Sequence, residues 1–196
     1  MEELNIPYRI ERYQRDVKTN LAPPELRAIH PLGKSPVIQD GELLLAESGA
    51  IVEYLVERYG EGRLSPVRGT PEYVRYLHWM HFAEGTIMLH LVARLYLSRV
   101  GEAAKTMQAR VEGMIRDELD LVEAELARSE HIAGAQFSAA DVQMLFPLEL
   151  AAHTGLVSER LTKLRDYVAR MQARPAYRRA LEKGGAYAFC SASIQD

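Results

Sequence analysis

The chain has 196 residues, of which 47% are hydrophobic and 26% are charged, and its formal net charge is −3. This length can bury a core without disulfide or metal staples, and the charge gives no electrostatic reason to bind nucleic acid or an anionic membrane. No apolar run approaches the roughly 20 residues that a membrane helix needs. The start lacks a signal peptide and the single cysteine, Cys190, fits a reducing compartment, so we expect a cytoplasmic protein.

Short elements separated by turn residues are predicted over residues 1–62. YRIERY (8–13) alternates its side chains as a β-strand does, and a short helix follows that ends at Pro31. PVIQ and ELLLA then flank Asp40-Gly41, which indicates a hairpin with a type I′ turn. ESGAIVEYLVERYG has apolar residues at helical spacing and ends at Gly60, so it predicts a longer helix.

Long helices are predicted for the rest of the chain, after a Gly- and Pro-rich linker over residues 63–70. Apolar residues recur with a period of about 3.6, which predicts three helices, over about 71–99, 102–128 and 158–174. A last helical turn or two follows Pro175. We therefore expect an α+β protein with a mixed domain over 1–62 and an all-α domain over 71–196.

FSAADV (137–142) is the sharpest local signal in the second region. Ser138 can cap the backbone N–H of Asp141, and the Asp141 carboxylate can accept a bond from the Ser138 N–H. This capping box predicts the start of a further helix, in which Pro147 should produce a kink. Its role is in folding rather than in ligand binding.

Glu47-Ser48 stands at the start of the predicted helix that ends at Gly60. Because a helix N-terminus has unpaired N–H groups and a partial positive charge, it can hold a carboxylate, and the Ser48 hydroxyl adds a donor. Glu47 can pair with an ammonium, so the two residues suit an amino-acid zwitterion. Taken alone, the pair is more simply explained as an ordinary helix cap.

Ser35-Pro36 precedes the first strand of the predicted hairpin. By base rate the peptide bond would be trans, but a cis bond would leave the Ser35 N–H and C=O free to pair with an extended peptide. Lys34 beside it can attract a second carboxylate, although a lysine in this position is usually only solvated.

In combination these segments resemble a known family. HPLGKSPVI followed by LLLAESGAIVEYL resembles the glutathione-site signature of the cytosolic glutathione S-transferases. The resemblance extends through APPELRAIHPLGKSP, the linker, FSAAD and RPAYRRAL, and it is closest to a bacterial and fungal branch, as in YQRDVKTNLAPPEL. It implies a thioredoxin-like N-terminal domain, an all-α C-terminal domain and a homodimer joined through the first two long helices.

The resemblance also implies the roles of the site residues. Glu47 and Ser48 would hold the γ-glutamyl end of glutathione, Ser35 before a cis Pro36 would pair with the cysteinyl backbone, and Lys34 would attract the glycine carboxylate. Glutathione would be a co-substrate, with no resident cofactor or metal. The reaction would be attack of its thiolate on a small apolar electrophile, as in detoxification.

The activating residue of the family is not found in this sequence. In the family, a loop after the first strand supplies a Ser, Tyr or Cys that activates the glutathione sulfur, whereas here the predicted second strand begins near Pro7. We therefore expect a domain that lacks its first strand and most of its first helix, with strand edges facing a gap. Tyr8 and Tyr13 should not inherit the role, so the catalytic residue is unknown. The alternative function is a noncatalytic glutathione-binding or protein-interaction module.

Histidines on the first long helix are the remaining candidates for a site. His78 and His81, with His90 further along, could be metal ligands, but no acidic or Cys partner has a recognisable spacing, so packed or surface histidines are favoured. Trp79 and Phe82 beside them are assigned to the domain seam, with the border of an electrophile pocket as the alternative.

Overall fold

The structure, a computed structural model, describes residues 1–19, 21–185, 187 and 189. The first part of the chain consists of a 3₁₀ turn (Glu2–Leu4), helix α1 (Pro24–Ile29), strands β1 (Val37–Asp40) and β2 (Leu43–Ala46), and helix α2 (Ser48–Tyr59). The second part consists of α3 (Pro71–Phe82), α4 (Leu89–Val100), α5 (Lys105–Leu126), α6 (Ala139–His153), α7 (Thr162–Ala173) and α8 (Pro175–Gly184). In the described part of the chain, no helix combines the length and the apolar character needed to cross a membrane.

The predicted hairpin forms, but its loop lies one residue further along the chain than predicted and its turn is of another type. Strands β1 and β2 are antiparallel, and Asp40 pairs with Leu43, so the two-residue loop is Gly41-Glu42. Of these two loop residues, only Gly41 has a positive φ, at 59°. A type I′ turn needs a positive φ at both positions, so the geometry is that of a type II′ turn, which places Gly first.

The carboxylate of Asp40 ties the hairpin to helix α2. It accepts a hydrogen bond from the Tyr54 hydroxyl at 2.7 Å and a second one from the Tyr59 hydroxyl. These bonds lower the pKa of Asp40, the bond from Tyr59 more than that from Tyr54. Because both tyrosines lie on one helix, the hairpin and α2 are fixed relative to each other.

The predicted strand over residues 8–13 is wrong. No strand forms there, and the described part of the chain contains a sheet of only two strands, β1 and β2. A strand needs a neighbour to take its backbone hydrogen bonds, and an alternating pattern alone does not supply one. The segment instead lies along α8, where the Arg12 guanidinium donates to the carbonyl oxygen of Lys183 at 3.0 Å.

Acidic residues of the 3₁₀ turn fasten the beginning of the chain to α8. The Glu2 carboxylate pairs with Arg179 at 2.8 Å and with Lys183 at 2.6 Å. Glu3 forms two bonds of 2.9 Å with the Arg174 guanidinium. In place of a complete first helix, these residues form a single 3₁₀ turn.

The core lies among the long helices and continues into the first part of the chain. Trp79, Ile115, Leu148 and Tyr167 are each at most 3% exposed, and Val52 and Val56 of α2 pack against their cluster. The predicted helix over 71–99 is interrupted by a π-helical segment, Ala83–Met88, between α3 and α4.

Helix α6 begins with the predicted capping box. The Ser138 N–H donates to the Asp141 carboxylate at 2.8 Å, and Asp141 is fully buried. The same carboxylate accepts bonds from the Ile132 N–H at 2.9 Å and from the Tyr167 hydroxyl at 2.8 Å. Asp141 therefore joins α6, α7 and the loop before α6, which is more than a local cap does.

Candidate functional site

The register of the hairpin brings the two predicted halves of the site together. Val37 at the start of β1 pairs with Ala46 at the end of β2, and paired Cα atoms in such a ladder lie about 4.5–5.5 Å apart. Pro36 and Glu47 are the next residues outward on the two strands, so they share one end of the hairpin. The bond between Ser35 and Pro36 is cis, and Lys34, Ser35 and Pro36 are exposed.

The N-terminus of α2 is the second half of the site. Glu47 precedes the helix with φ 72° and ψ 117°, and its carbonyl oxygen accepts the Ile51 N–H at 2.9 Å. A positive φ at a residue with a side chain costs about 1–3 kcal/mol, and such residues cluster at ligand sites. A Cβ added to Gly49 would meet no atom within 4 Å, so the space beside the first helical amides is open.

Ser48 has partners in the helical domain that the sequence did not indicate. Its hydroxyl donates to the Glu84 carboxylate at 2.7 Å and accepts from the Gln143 amide at 2.9 Å. Gln143 also donates to Glu84 at 2.9 Å, which closes a triangle. The three residues come from α2, the π-helical segment and α6. Their spacing in the sequence carries no signal, because only the packing of α2 on the helical domain brings them together.

A cavity of about 1260 Å³ lies between the first 15 residues, α1 and the hairpin. The described residues that line it include Ser35 but not Lys34, Pro36, Glu47 or Ser48. The cavity therefore reaches one edge of the helix-end site, by which we mean the N-terminus of α2 and the adjoining end of the hairpin, without enclosing it. Tyr8 and Tyr13 are among its lining residues. Burial raises the pKa of Tyr8, and a hydrogen bond with Glu2 raises it further.

Of the remaining candidates, His81 is exposed, and the others are packed or paired side chains. The His78 ring lies edge-on to Trp79 with ring centroids 5.0 Å apart, and both Trp79 and Phe82 are buried, so they belong to the seam and the core. His90 Nδ1 lies 2.5 Å from Glu118 Oε1, and burial raises the pKa of Glu118. No group of three His, Cys, Asp or Glu within the described residues could hold a metal ion.

The last two residues to place are His30 and Cys190. His30 is a turn residue, and its carbonyl oxygen accepts the N–H of Gly33 at 2.8 Å. Cys190 lies outside the described residues.

The architecture and the site define a two-domain class of protein, with a thioredoxin-like N-terminal half that carries a helix-end site and an all-α C-terminal half. The N-terminal domain of the glutathione S-transferases matches residues 1–57, and their C-terminal domain matches residues 77–175. The chain belongs to the glutathione S-transferase family. This confirms the family and the fold class that the sequence indicates.

Relatives and solved structures agree with this assignment. Glutathione S-transferase 3 of Schizosaccharomyces pombe is 32% identical over 93% of this chain and 80% of its own length. A crystal structure of a glutathione S-transferase from Actinobacillus pleuropneumoniae has a TM-score of 0.84 at 31% identity, over 100% of this chain and 88% of that one. A crystal structure of a glutathione transferase of Phanerochaete chrysosporium in complex with oxidized glutathione has a TM-score of 0.77 at 26% identity. It covers 93% of this chain and 86% of that one.

Proposed function

We propose that the chain binds glutathione at the shared end of the hairpin and α2, and transfers its thiolate to a small apolar electrophile. The observation that carries the proposal is the pairing of Val37 with Ala46, since this register sets the Ser35 backbone beside the N-terminus that bears Ser48. Relatives named glutathione S-transferase and a similar structure in complex with oxidized glutathione support the choice of ligand.

Each part of glutathione has a complementary group in this proposal. The γ-glutamyl carboxylate binds the first amides of α2 and the Ser48 hydroxyl, because those amides have no partner within the helix. Glu47 is near enough to the helix end to attract the ammonium. The N–H and C=O of Ser35 pair with the cysteinyl backbone as in strand addition, and Lys34 attracts the glycine carboxylate.

The chemistry proposed is nucleophilic substitution by sulfur. The thiolate, not the thiol, is the nucleophilic form. With an aryl halide, a C–S bond forms, the carbon–halogen bond breaks, halide leaves, and the thiol proton goes to solvent. No residue is assigned as the activating group. Glutathione is the co-substrate, and the proposal includes no further cofactor.

The cellular setting is part of the same proposal. We place the protein in the cytoplasm, in detoxification, as a homodimer joined through the first two long helices, of which the first comprises α3 and α4 and the second is α5. A set of large apolar side chains exposed on α4 and α5 supports the dimer: Leu89, Leu95, Tyr96, Val100, Met107 and Met114. Large exposed apolar patches on a protein surface mark sites of interaction with other proteins.

The test is a conjugation assay with glutathione and chlorodinitrobenzene, accompanied by calorimetric titration of glutathione alone. The proposal predicts saturable binding and turnover above the uncatalysed rate, with kcat/KM lowered at least about tenfold by Ser48→Ala. Binding without turnover would select the noncatalytic module instead. The absence of both binding and turnover would overturn the proposed function.

A further inference from the structure

A polar pair lies in the groove between helices α4 and α5. His90 Nδ1 of α4 lies 2.5 Å from Glu118 Oε1 of α5, and the two side chains are 23% and 11% exposed. A contact of this length between a ring nitrogen and a carboxyl oxygen needs a proton between the two atoms, because their lone pairs would otherwise repel each other. The pair therefore holds at least one proton in a place that solvent hardly reaches.

The second carboxyl oxygen of Glu118 has no such partner. Oε2 is buried and accepts no hydrogen bond from the described residues. Burial raises the pKa of Glu118, although the hydrogen bond with His90 acts in the opposite direction. A buried carboxylate with one unsatisfied oxygen is costly to keep charged, so its protonation responds to any further loss of solvent.

The surface above the pair is apolar and exposed. On α5, Met114 lies four residues before Glu118 and Leu121 lies three residues after it, which places all three on one face of the helix. Met114 is 37% exposed and Leu121 is 47% exposed, and Leu89, next to His90 in α4, is 58% exposed. A partner that covers these side chains also removes the solvent that still reaches the pair.

We propose that the His90–Glu118 pair makes the association of two copies through α4 and α5 depend on pH; this rests on the proposed homodimer. An imidazolium beside a carboxylate has no net charge, and neither has a neutral imidazole beside a protonated carboxyl group. Removing a proton makes the pair negative, and adding one makes it positive. Because a dimer buries the pair further, it favours the neutral form, so association should be tightest at the intermediate pH where that form prevails.

The charges around the groove leave this behaviour to the pair itself. Asp117 of α5 also acts on Glu118, and its charge raises the pKa of Glu118 further. Charged groups on the neighbouring elements are held by other partners: Arg94 of α4 by Glu112, Glu84 of the π-helical segment by Ser48, Glu149 of α6 by Gln172, and Arg160 before α7 by Asp120.

The test measures the dissociation constant of the dimer by sedimentation velocity from about pH 5 to about pH 9. The proteins are the wild type, His90→Gln, Glu118→Gln and the control Glu182→Gln, at an exposed position of α8. In the wild type and the control, the dissociation constant should pass through a minimum and rise at least about tenfold on either side, since each dimer contains two pairs.

The two pair variants should respond to pH in opposite directions. Glu118→Gln leaves only the imidazole to titrate, so its dimer should tighten as the pH rises. His90→Gln leaves only the carboxyl group, so its dimer should weaken as the pH rises. Variants with the same pH profile as the wild type would overturn the inference.

The wild-type profile decides independently of how well the variants fold. A dissociation constant without a minimum in the wild type would overturn the inference but not the proposed homodimer. The absence of a dimer at every pH would overturn both, while calorimetric titration of glutathione tests the proposed binding site separately.

Discussion

Val37 and Ala46 face each other across the hairpin, and their pairing determines which residues meet at its end. A shift of one residue would turn every side chain of β1 to the other face and would move Ser35 away from the N-terminus of α2. The register depends in turn on the anchoring of Asp40 by two tyrosines of α2. The site is thus coupled to contacts at the opposite end of the hairpin.

Asp40→Ala should lower the urea midpoint of unfolding, because it removes the acceptor of the Tyr54 and Tyr59 hydroxyls. In the double variant Tyr54→Phe/Tyr59→Phe, the added Asp40→Ala substitution should lower the midpoint much less. The reason is that the stability effects of residues in one hydrogen-bond network do not add. Glu42→Ala, at an exposed position of the same hairpin, is the control. Equal effects of Asp40→Ala in both backgrounds would show that the tyrosines do not act through Asp40.

Asp141→Ala should reduce the free energy of unfolding by at least about 3 kcal/mol, because it leaves four buried donors without this acceptor. These are the N–H of Ile132, the N–H and the hydroxyl of Ser138, and the hydroxyl of Tyr167. Asp166→Ala, at an exposed position of α7, should change the free energy by less than about 0.5 kcal/mol. Chemical denaturation of both variants measures the two free energies of unfolding. If Asp141→Ala loses as little stability as Asp166→Ala, the Asp141 carboxylate does not hold α6, α7 and the preceding loop together.

Gly33 and Gly113 should respond to alanine in opposite directions. Gly33 has φ 57°, and an added Cβ would lie 2.8 Å from Arg27 Cγ, so Gly33→Ala should cost about 1–2 kcal/mol. Gly113 lies within α5 with open space around it, so Gly113→Ala should gain about 0.5–1 kcal/mol. Thermal unfolding of the two variants gives the comparison, and a shift of the same sign in both would refute it.

Stability should depend on pH through Glu2. Hydrogen bonds from Lys183 and Arg179 lower its pKa to about 2, against 4.5 in the unfolded chain. The unfolded state therefore binds more protons between these values, and the stabilisation present above pH 4.5 is lost as the pH falls towards 2. Glu2→Gln should be less stable than the wild type at pH 7 and should approach it in acid. If the free energies of unfolding of the two proteins fall in parallel as the pH is lowered, Glu2 is not the source of this pH dependence.

The sequence predicts well those features that neighbouring residues determine. The hairpin around Gly41 and the capping box at Ser138 both rest on residues within a few positions of each other, and both are found. The strand over 8–13 is wrong because strand formation depends on a distant partner. Helix α7 begins at Thr162 rather than near 158 because its first amides are capped from α5, by bonds of 3.0 and 2.8 Å to the Glu123 carboxylate.

The candidate site divides in the same way. Lys34, Ser35, Pro36, Glu47 and Ser48 could be proposed because they occupy one continuous segment with recognisable turn and cap residues, and their roles in binding stay a prediction. Glu84 and Gln143 were missed, since they lie 36 and 95 positions from Ser48. Their contact depends on the π-helical segment and on the docking of α2, neither of which has a local sequence signal.

The measurement that tests the central claim most directly is a calorimetric titration of glutathione into the wild type, Ser48→Ala and the control Ser98→Ala, an exposed serine of α4. The account predicts saturable binding to the wild type and to Ser98→Ala, with an affinity about tenfold lower for Ser48→Ala because a donor to the carboxylate is lost. Equal affinity in all three proteins, or no saturable heat with the wild type, would contradict a glutathione site at the N-terminus of α2.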